Sequence, residues 1–295
     1  MTLIARQIDK IIEPQQVVEG AGVRLKRSIG TRTLDHLDPF LLLDNFASDD
    51  PSDYVAGFPL HPHRGIETVT YMLAGVVNHK DTLGNAGSIG AGDVQWMTAG
   101  GGIMHEEMPQ VRPEGNHGFQ LWVNLPSRLK MSRPRYQDIR ASQTPEITTG
   151  DGASVRVIAG KAGGVAGPVT GIAADPVYLD VLVPPHASFK HDVEKGHTAF
   201  SYVFEGEGRF GGDDSAHATS VSATRLAVWG DGDYVNIFAS ESSVRFLLIS
   251  GKPLNEPIAR YGPFVMNTRA EIEQALRDLR EGAFVWSEER GSRKR

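Results

Sequence analysis

What most limits the folds open to this chain is how its apolar sequence is punctuated. Short runs such as Thr68-Val-Thr-Tyr-Met-Leu73, Val94-Gln-Trp-Met97, Gln120-Leu-Trp-Val123, Tyr178-Leu-Asp-Val-Leu-Val183 and Val244-Arg-Phe-Leu-Leu-Ile249 are closed off by Gly, Pro or Asp. Runs of this length between turn residues build strands, and many of them at regular spacing build sandwiches or barrels. Thirty-three glycines and seventeen prolines supply the turns and leave little room for long helices. One helix is expected near the end. Thr268 with Glu271 forms a capping box, and Ile272, Ala275, Leu276 and Leu279 then share a face that would cover a sheet surface.

A chain of 295 residues exceeds a single ordinary core, so two domains are expected. A faint internal repeat points the same way. Aligning Glu67-Thr-Val-Thr-Tyr71-Met-Leu-Ala-Gly75 with Thr198-Ala-Phe-Ser-Tyr202-Val-Phe-Glu-Gly206 matches a tyrosine and a glycine without gaps, and Gly92-Asp93 pairs with Gly232-Asp233 if the second half carries a longer loop. The boundary is placed near residue 145, giving domains over 1–145 and 146–295. The stretch Ala159-Gly-Lys-Ala-Gly-Gly-Val-Ala-Gly167 reads as a long loop near the junction, too glycine-rich for a regular element.

Composition removes whole classes of chemistry. With no cysteine, disulfides, thiolate catalysis, zinc-thiolate sites and cysteine-held iron-sulfur clusters are excluded. The net charge of −6 argues against general affinity for nucleic acid. The basic end Arg290-Gly-Ser-Arg293-Lys294-Arg295 reads as a solvated terminus. No apolar stretch is long enough to span a membrane and no signal segment is apparent, so a cytoplasmic protein is expected.

Against that background two short clusters stand out: His61-Pro-His63 and His105-Glu-Glu107. Alternate residues of a strand point the same way, so each pair can present two ligands to one point. Three imidazoles and a carboxylate from two strands suit one divalent ion held by nitrogen and oxygen. His36, His79, His117, His186, His191, His197 and His217 lack such a paired context and read as ordinary. Under the ungapped alignment His61 and His63 fall on Asp192 and Glu194, so the second half is expected to lack the nitrogen-rich site.

The pattern Gly57-x3-His61-x-His63-x3-Glu67-x7-Gly75, with a Gly-Asp turn and a second histidine strand, resembles the metal motifs of the cupin superfamily. Phe58-Pro-x-His-Pro-His-Arg-Gly-x-Glu-Thr-Val69, Gly92-Asp-x-Gln-Trp-Met-Thr-Ala-Gly100, Gly102-Ile-x-His-x-Glu-Met-Pro109 and Gln120-Leu-Trp-Val-Asn-Leu125 narrow the resemblance to the pirin family. It implies an all-β bicupin, two cupin-type barrels with a short C-terminal helix, whose first barrel holds one iron through His61, His63, His105 and Glu107 and whose second has lost its metal. It also implies one of two roles: flavonol cleavage with dioxygen, as in quercetin 2,3-dioxygenase, or a regulatory cofactor that binds a protein partner. In many cupins the glutamate after the HxH pair is itself a ligand. The pirin pattern favours Glu107 instead, leaving Glu67 behind the site, on a neighbouring strand, or as an ion-pair partner of Arg64.

Such a ligand set suits Fe(II) above all by family resemblance, and Mn(II), Ni(II), Co(II) or Zn(II) by ligand chemistry alone. Four protein ligands on an octahedral ion leave two positions for an oxygen chelate of a flavonol-like substrate or for dioxygen. Glu107 is then the catalytic carboxylate that accepts the substrate's proton. Phe58, Met97, Met104 and Trp122 either line the mouth or form plain barrel core. The alternative of another class is a binding protein whose iron switches a partner surface through its oxidation state. Gly100-Gly-Gly102 lacks a phosphate-loop context and reads as a turn with unusual backbone angles.

Overall fold

The computed structural model describes residues 3–212 and 217–288, and strands dominate them. In chain order these are β1 (Ile8–Ile12), β2 (Gln15–Glu19), β3 (Val23–Ile29), β4 (Phe40–Asn45), β5 (Phe58–His63), β6 (Ile66–Ala74), β7 (Val76–Asp81), β8 (Ala86–Ile89), β9 (Val94–Thr98), β10 (Ile103–Gln110), β11 (His117–Asn124) and β12 (Arg135–Ile139). Next come β13 (Glu146–Thr148), β14 (Ser154–Ala159), β15 (Lys161–Ala162), β16 (Val165–Ala166), β17 (Val177–Val183) and β18 (Ser188–Asp192). The chain continues with β19 (Thr198–Phe210), β20 (Thr219–Ser222), β21 (Arg225–Trp229), β22 (Tyr234–Gly251), β23 (Ala259–Tyr261), β24 (Phe264–Met266) and α1 (Arg269–Arg280). The basic residues 290–295 lie outside the described part. No helix among the described residues is long and apolar enough to cross a membrane.

The chain forms two compact units, each a cupin-type barrel. The first barrel comprises Gln16–Gly30, Asp38–Ala141 and the described part of Leu254–Arg295; the second comprises the described part of Met1–Gln15, Thr31–Leu37 and Ser142–Pro253. A single division at residue 145 therefore does not describe the two ends. The body of the chain changes unit near residue 142, but the terminal segments cross over. The reason lies in specific bonds. β1 adds to β21 as an antiparallel edge strand, with Ile11 opposite Ala227, and the buried Arg6 guanidinium donates to the carbonyls of Gly232 and His197.

In the first barrel a seven-stranded sheet of order β12-β9-β6-β11-β4-β3-β2 is accompanied by a four-stranded one of order β5-β10-β7-β8. Residues 254–288 finish this unit. Arg64, next to His63, donates to Asp278 at 2.7 Å and to the Phe284 carbonyl at 3.0 Å, and its guanidinium stacks 4.4 Å from the Phe284 ring centre. Gly65 runs so close to β24 that a Cβ there would stand 1.9 Å from the Val265 oxygen, a contact only glycine permits. The buried Lys130 ammonium donates to the carbonyls of Gly65 and Val265 and to Asn124 Oδ1, all within 2.9 Å, although burial lowers its pKa to about 8. The expected capping box at Thr268 and Glu271 is present, and Ile272 and Ala275 are buried. The sheet that α1 covers is the small β23–β24 hairpin, with Phe284 and Met104 in the same cluster.

In the second barrel the sheet runs β1-β21-β19-β22-β17-β14-β13, with β18 paired to the long β22 and β20 to β19. Its buried core is apolar save for Ser201, whose hydroxyl accepts from Trp229 Nε1. Phe246 meets Phe189 and Phe210 edge-on at 6.0 and 5.3 Å between ring centres, and Trp229, Val193, Val235 and Ile237 complete the packing. Each such side chain contributes roughly 1.5–3 kcal/mol by leaving water.

The internal repeat is real, with two corrections. β6 and β19 are equivalent central strands, and Tyr71 and Tyr202 are both buried. The counterpart of the Gly92 turn, however, is Thr224 rather than Gly232. Gly92 N donates to the carbonyl of Met72 and Thr224 N to that of Val203, each at 2.8 Å and each one residue beyond the matched tyrosine. Second, Asp192 and Glu194 are exposed and do not occupy the positions of His61 and His63. Phe189 of β18 and Val193 just beyond its end join the core, so alternation places His191 on that inner face, opposite Val235. The alignment slips by one residue there. Nor is 159–167 an irregular loop: β15 and β16 form a tight hairpin turned by Gly163 and Gly164, whose φ of 54° and 82° suit a primed turn.

Candidate metal centre

β5 and β10 pair antiparallel with His105 directly opposite His61. Because His63 lies two residues from His61, all three imidazoles project from the same side of this ribbon. Their ligand atoms lie within 4.8 Å of one another, and this is the one such group among the described residues. Ring centres are 4.4 Å apart for His61 and His105 and 5.1 Å for His63 and His105.

The hydrogen bonding fits a cation. His61 Nδ1 donates to the Pro59 carbonyl at 2.9 Å, which leaves Nε2 as a lone pair, and that lone pair faces His63 Nε2 at 3.1 Å. Neither nitrogen of the buried His105 has a hydrogen-bond partner. Buried polar atoms are rarely left so. Burial, reinforced by the neighbouring imidazoles, pushes His63 well below the ordinary histidine range and His105 to about 3. Both rings are therefore neutral at physiological pH, the form that ligates metal.

Glu107 lies on the same strand as His105, beyond a register shift, and opposite His79 of β7. It is buried, and it is not part of the three-histidine group. Burial raises its pKa, against the pull of His61 and a hydrogen bond from Thr70. Thr70 Oγ1 lies 3.1 Å from Glu107 Oε1 and 2.7 Å from Gln120 Oε1. One hydroxyl proton cannot serve two acceptors, so either Glu107 is protonated or the Gln120 amide is turned to donate.

His61, His63, Thr70, Glu107, Gln120 and Trp122 line a cavity of about 640 Å3 in the first barrel. Trp122 meets His63 edge-on at 5.2 Å, and Phe58 lines the same space. Met97 and Met104 do not: they belong to core clusters. Glu67 accepts from Trp96 Nε1 and Thr98 Oγ1. It sits three residues before Thr70 on an unbroken stretch of β6, hence on the face away from the cavity. Arg64 is not its partner, being engaged with Asp278.

Sequence reasoning missed His79, Thr70 and Gln120. His79 is buried, bonds Gln95 at 2.9 Å and stacks on Tyr136. The alternation of Val77, His79 and Asp81 on one face was its only signal.

A profile of the family described as Pirin matches residues 22–123, and one described as Pirin C-terminal cupin domain matches residues 178–285. A pirin-like protein of Caulobacter vibrioides is 46% identical over 280 residues, covering 95% of this chain and 99% of its own. Human pirin is 43% identical, covering 93% of this chain and 94% of its own. The crystal structure of a quercetin 2,3-dioxygenase from Acinetobacter baumannii superposes with a TM-score of 0.84 at 36% identity, over 95% of this chain and 98% of that one. With its duplicated barrel and a histidine cluster in the first of them, the chain belongs to the pirin family.

Proposed function

We propose that the protein is a metal-dependent dioxygenase that opens the central ring of a flavonol such as quercetin. The observation that carries this reading is the convergence of three imidazoles, two of them kept neutral by burial and one with both nitrogens unpaired, beside a cavity large enough for a three-ring aromatic. His61, His63 and His105 would hold the metal, with Glu107 as the oxygen ligand. When bound, the metal supplies Lewis acidity toward the substrate's vicinal oxygens and a path for electrons from substrate to dioxygen.

The chain's own groups do the rest. Glu107, its proton affinity raised by burial, takes the proton of the flavonol 3-hydroxyl from its ionised form, the case in which the Gln120 amide is turned to donate to Thr70. Thr70 fixes the carboxyl oxygen through a hydrogen bond. Trp122 and Phe58 supply apolar walls that orient the ring and exclude water. The likeness to the Acinetobacter enzyme supports the same assignment.

The test is elemental analysis of anaerobically purified protein, combined with oxygen uptake on a panel of flavonols. Wild type should contain metal and consume oxygen with quercetin, whereas His61→Ala and Glu107→Ala should lose metal and turnover together. Metal-free protein that degraded quercetin at the wild-type rate would overturn the reading.

A further inference from the structure

The sheet that backs the cavity carries a polar row that runs on beyond Thr70 and Gln120, the members that bond toward Glu107. Arg27 of β3, Asp44 of β4, Gln120 of β11 and Thr70 of β6 are consecutive in-register neighbours on four adjacent strands, so their side chains share one face. Arg27, Asp44, Thr70 and Gln120 all line the cavity. At the far end Arg27 grips both oxygens of Asp44 at 2.8 Å and donates to Glu19 at 2.8 Å. Asp44 is buried, and burial pushes its carboxyl up against the opposing pull of Arg27.

The fold does not require this ion pair. The second barrel provides the control, because its equivalent row, read from Ser201 outward, is Leu248, Leu179 and Val157. All three are wholly buried aliphatic residues. A buried ion pair is commonly no more stabilising than well-packed hydrocarbon, so folding alone gives no reason to keep charge at these positions in one barrel. Three of the five guanidinium N–H groups are used inside the cluster, leaving two for a ligand. Glu19 adds a carboxylate to the cavity wall, and Arg260, stacked 5.1 Å over Trp122, adds a second cation. Two positive and two negative groups suit a neutral ligand that both donates and accepts.

We propose that Arg27, Asp44 and Glu19 form a recognition subsite for phenolic hydroxyls on the end of the substrate remote from its chelating oxygens. β3 stands three strand spacings from β6, roughly 14 Å, so a ligand must be long and flat to reach both ends. The substrate class is accordingly a polyhydroxylated, multi-ring planar phenol, with Arg27 donating to one hydroxyl oxygen and Asp44 or Glu19 accepting its proton. This inference rests on the reading of the cavity as a flavonol site and adds the determinant of selectivity within that class.

Binding separates the two claims. Full-length protein loaded with Zn(II), which is redox-inert, is dialysed to equilibrium against quercetin and against galangin, which lacks the hydroxyls on the pendant ring. Wild type should bind quercetin at least about tenfold tighter, the size expected of hydrogen bonds to charged groups. The double variant Arg27→Val/Asp44→Leu, which copies the second barrel, should retain its zinc and bind the two ligands alike. Arg27→Gln replaces it if the double variant does not fold, and should narrow the same ratio. Equal affinities in wild type, binding of neither ligand, or a preference that survives these substitutions would overturn the subsite. Absence of oxygen uptake by Fe(II)-loaded wild type, with the binding preference intact, would sink the oxygenase reading and leave the subsite standing.

Discussion

The two barrels share a strand plan and differ in what they place inside it. Across the main sheet of the first, the row Arg27, Asp44, Gln120, Thr70, Gln95 and Asp138 is polar from end to end. Across the second, the matching row is Val157, Leu179, Leu248, Ser201, Ala227 and Ile11. On the facing ribbon, His61 opposes His105 in one barrel and His191 opposes Val235 in the other. The backbone tolerates either filling. The hydrogen-bonded ladder is satisfied by main chain alone, so the interior is free to be spent on cohesion or on a site. One copy keeps a cavity with buried polar groups, and the other closes around hydrocarbon.

Substitutions can break or sharpen that contrast, and the largest effect is expected at the metal. His105→Ala should leave the protein folded and abolish bound metal in elemental analysis, because two imidazoles remain where three converge. Metal retained at the wild-type level would mean that the first barrel's distinction lies elsewhere.

Next comes cohesion. Phe246→Ala removes a ring packed between Phe189 and Phe210 and should cost about 3–5 kcal/mol in urea unfolding. Phe58→Ala, on the cavity wall, deletes the same atoms beside existing space and should cost only about 1 kcal/mol. Similar losses would contradict the view that one interior is filled and the other hollow.

Acid should act more gently and in a definite direction. His63 and His105 have folded pKa values depressed by burial, His105 from 6.5 to about 3. Below pH 6.5 the unfolded chain therefore binds protons that these two rings refuse in the metal-free folded chain, so their contribution to stability is lost as pH drops from 6.5 toward 3, by on the order of a few kcal/mol. The raised carboxyls of Glu107, Asp44 and Glu67 act in the opposite sense, so the check is a difference: in thermal unfolding of the apoprotein across that range, wild type should lose more stability on acidification than His105→Phe does.

The smallest effect is expected at Thr70. Thr70→Val removes the hydroxyl that holds Glu107 and should lower turnover by about tenfold with metal content unchanged, the worth of one hydrogen bond to a carboxylate. Turnover equal to wild type would remove Thr70 from the machinery.

Much of this was legible in the sequence, because local patterns encode it. The His61/His63 and His105/Glu107 spacings, the Thr268 capping box and the paired Tyr71 and Tyr202 each depend on residues a few positions apart. What was not legible depends on register. A period-two pattern survives a slip of one residue, and only burial reveals that His191 rather than Asp192 faces inward. The polar row joins strands far apart in sequence, so no window of sequence contains it. The crossing of the termini was hidden for the same reason: nothing near Ile11 announces Ala227, and nothing near Arg64 announces Asp278.

That crossing sets an order on biosynthesis. The histidine strand emerges from the ribosome early, yet the carbonyls, the ring and the carboxylate that clamp its Arg64-Gly65 end belong to residues 263–284, made some two hundred positions later. Domains ordinarily mature one after another as they are made; here the nascent first barrel must wait for the tail, and any ion that its histidines take up would meet a finished polypeptide rather than a growing one.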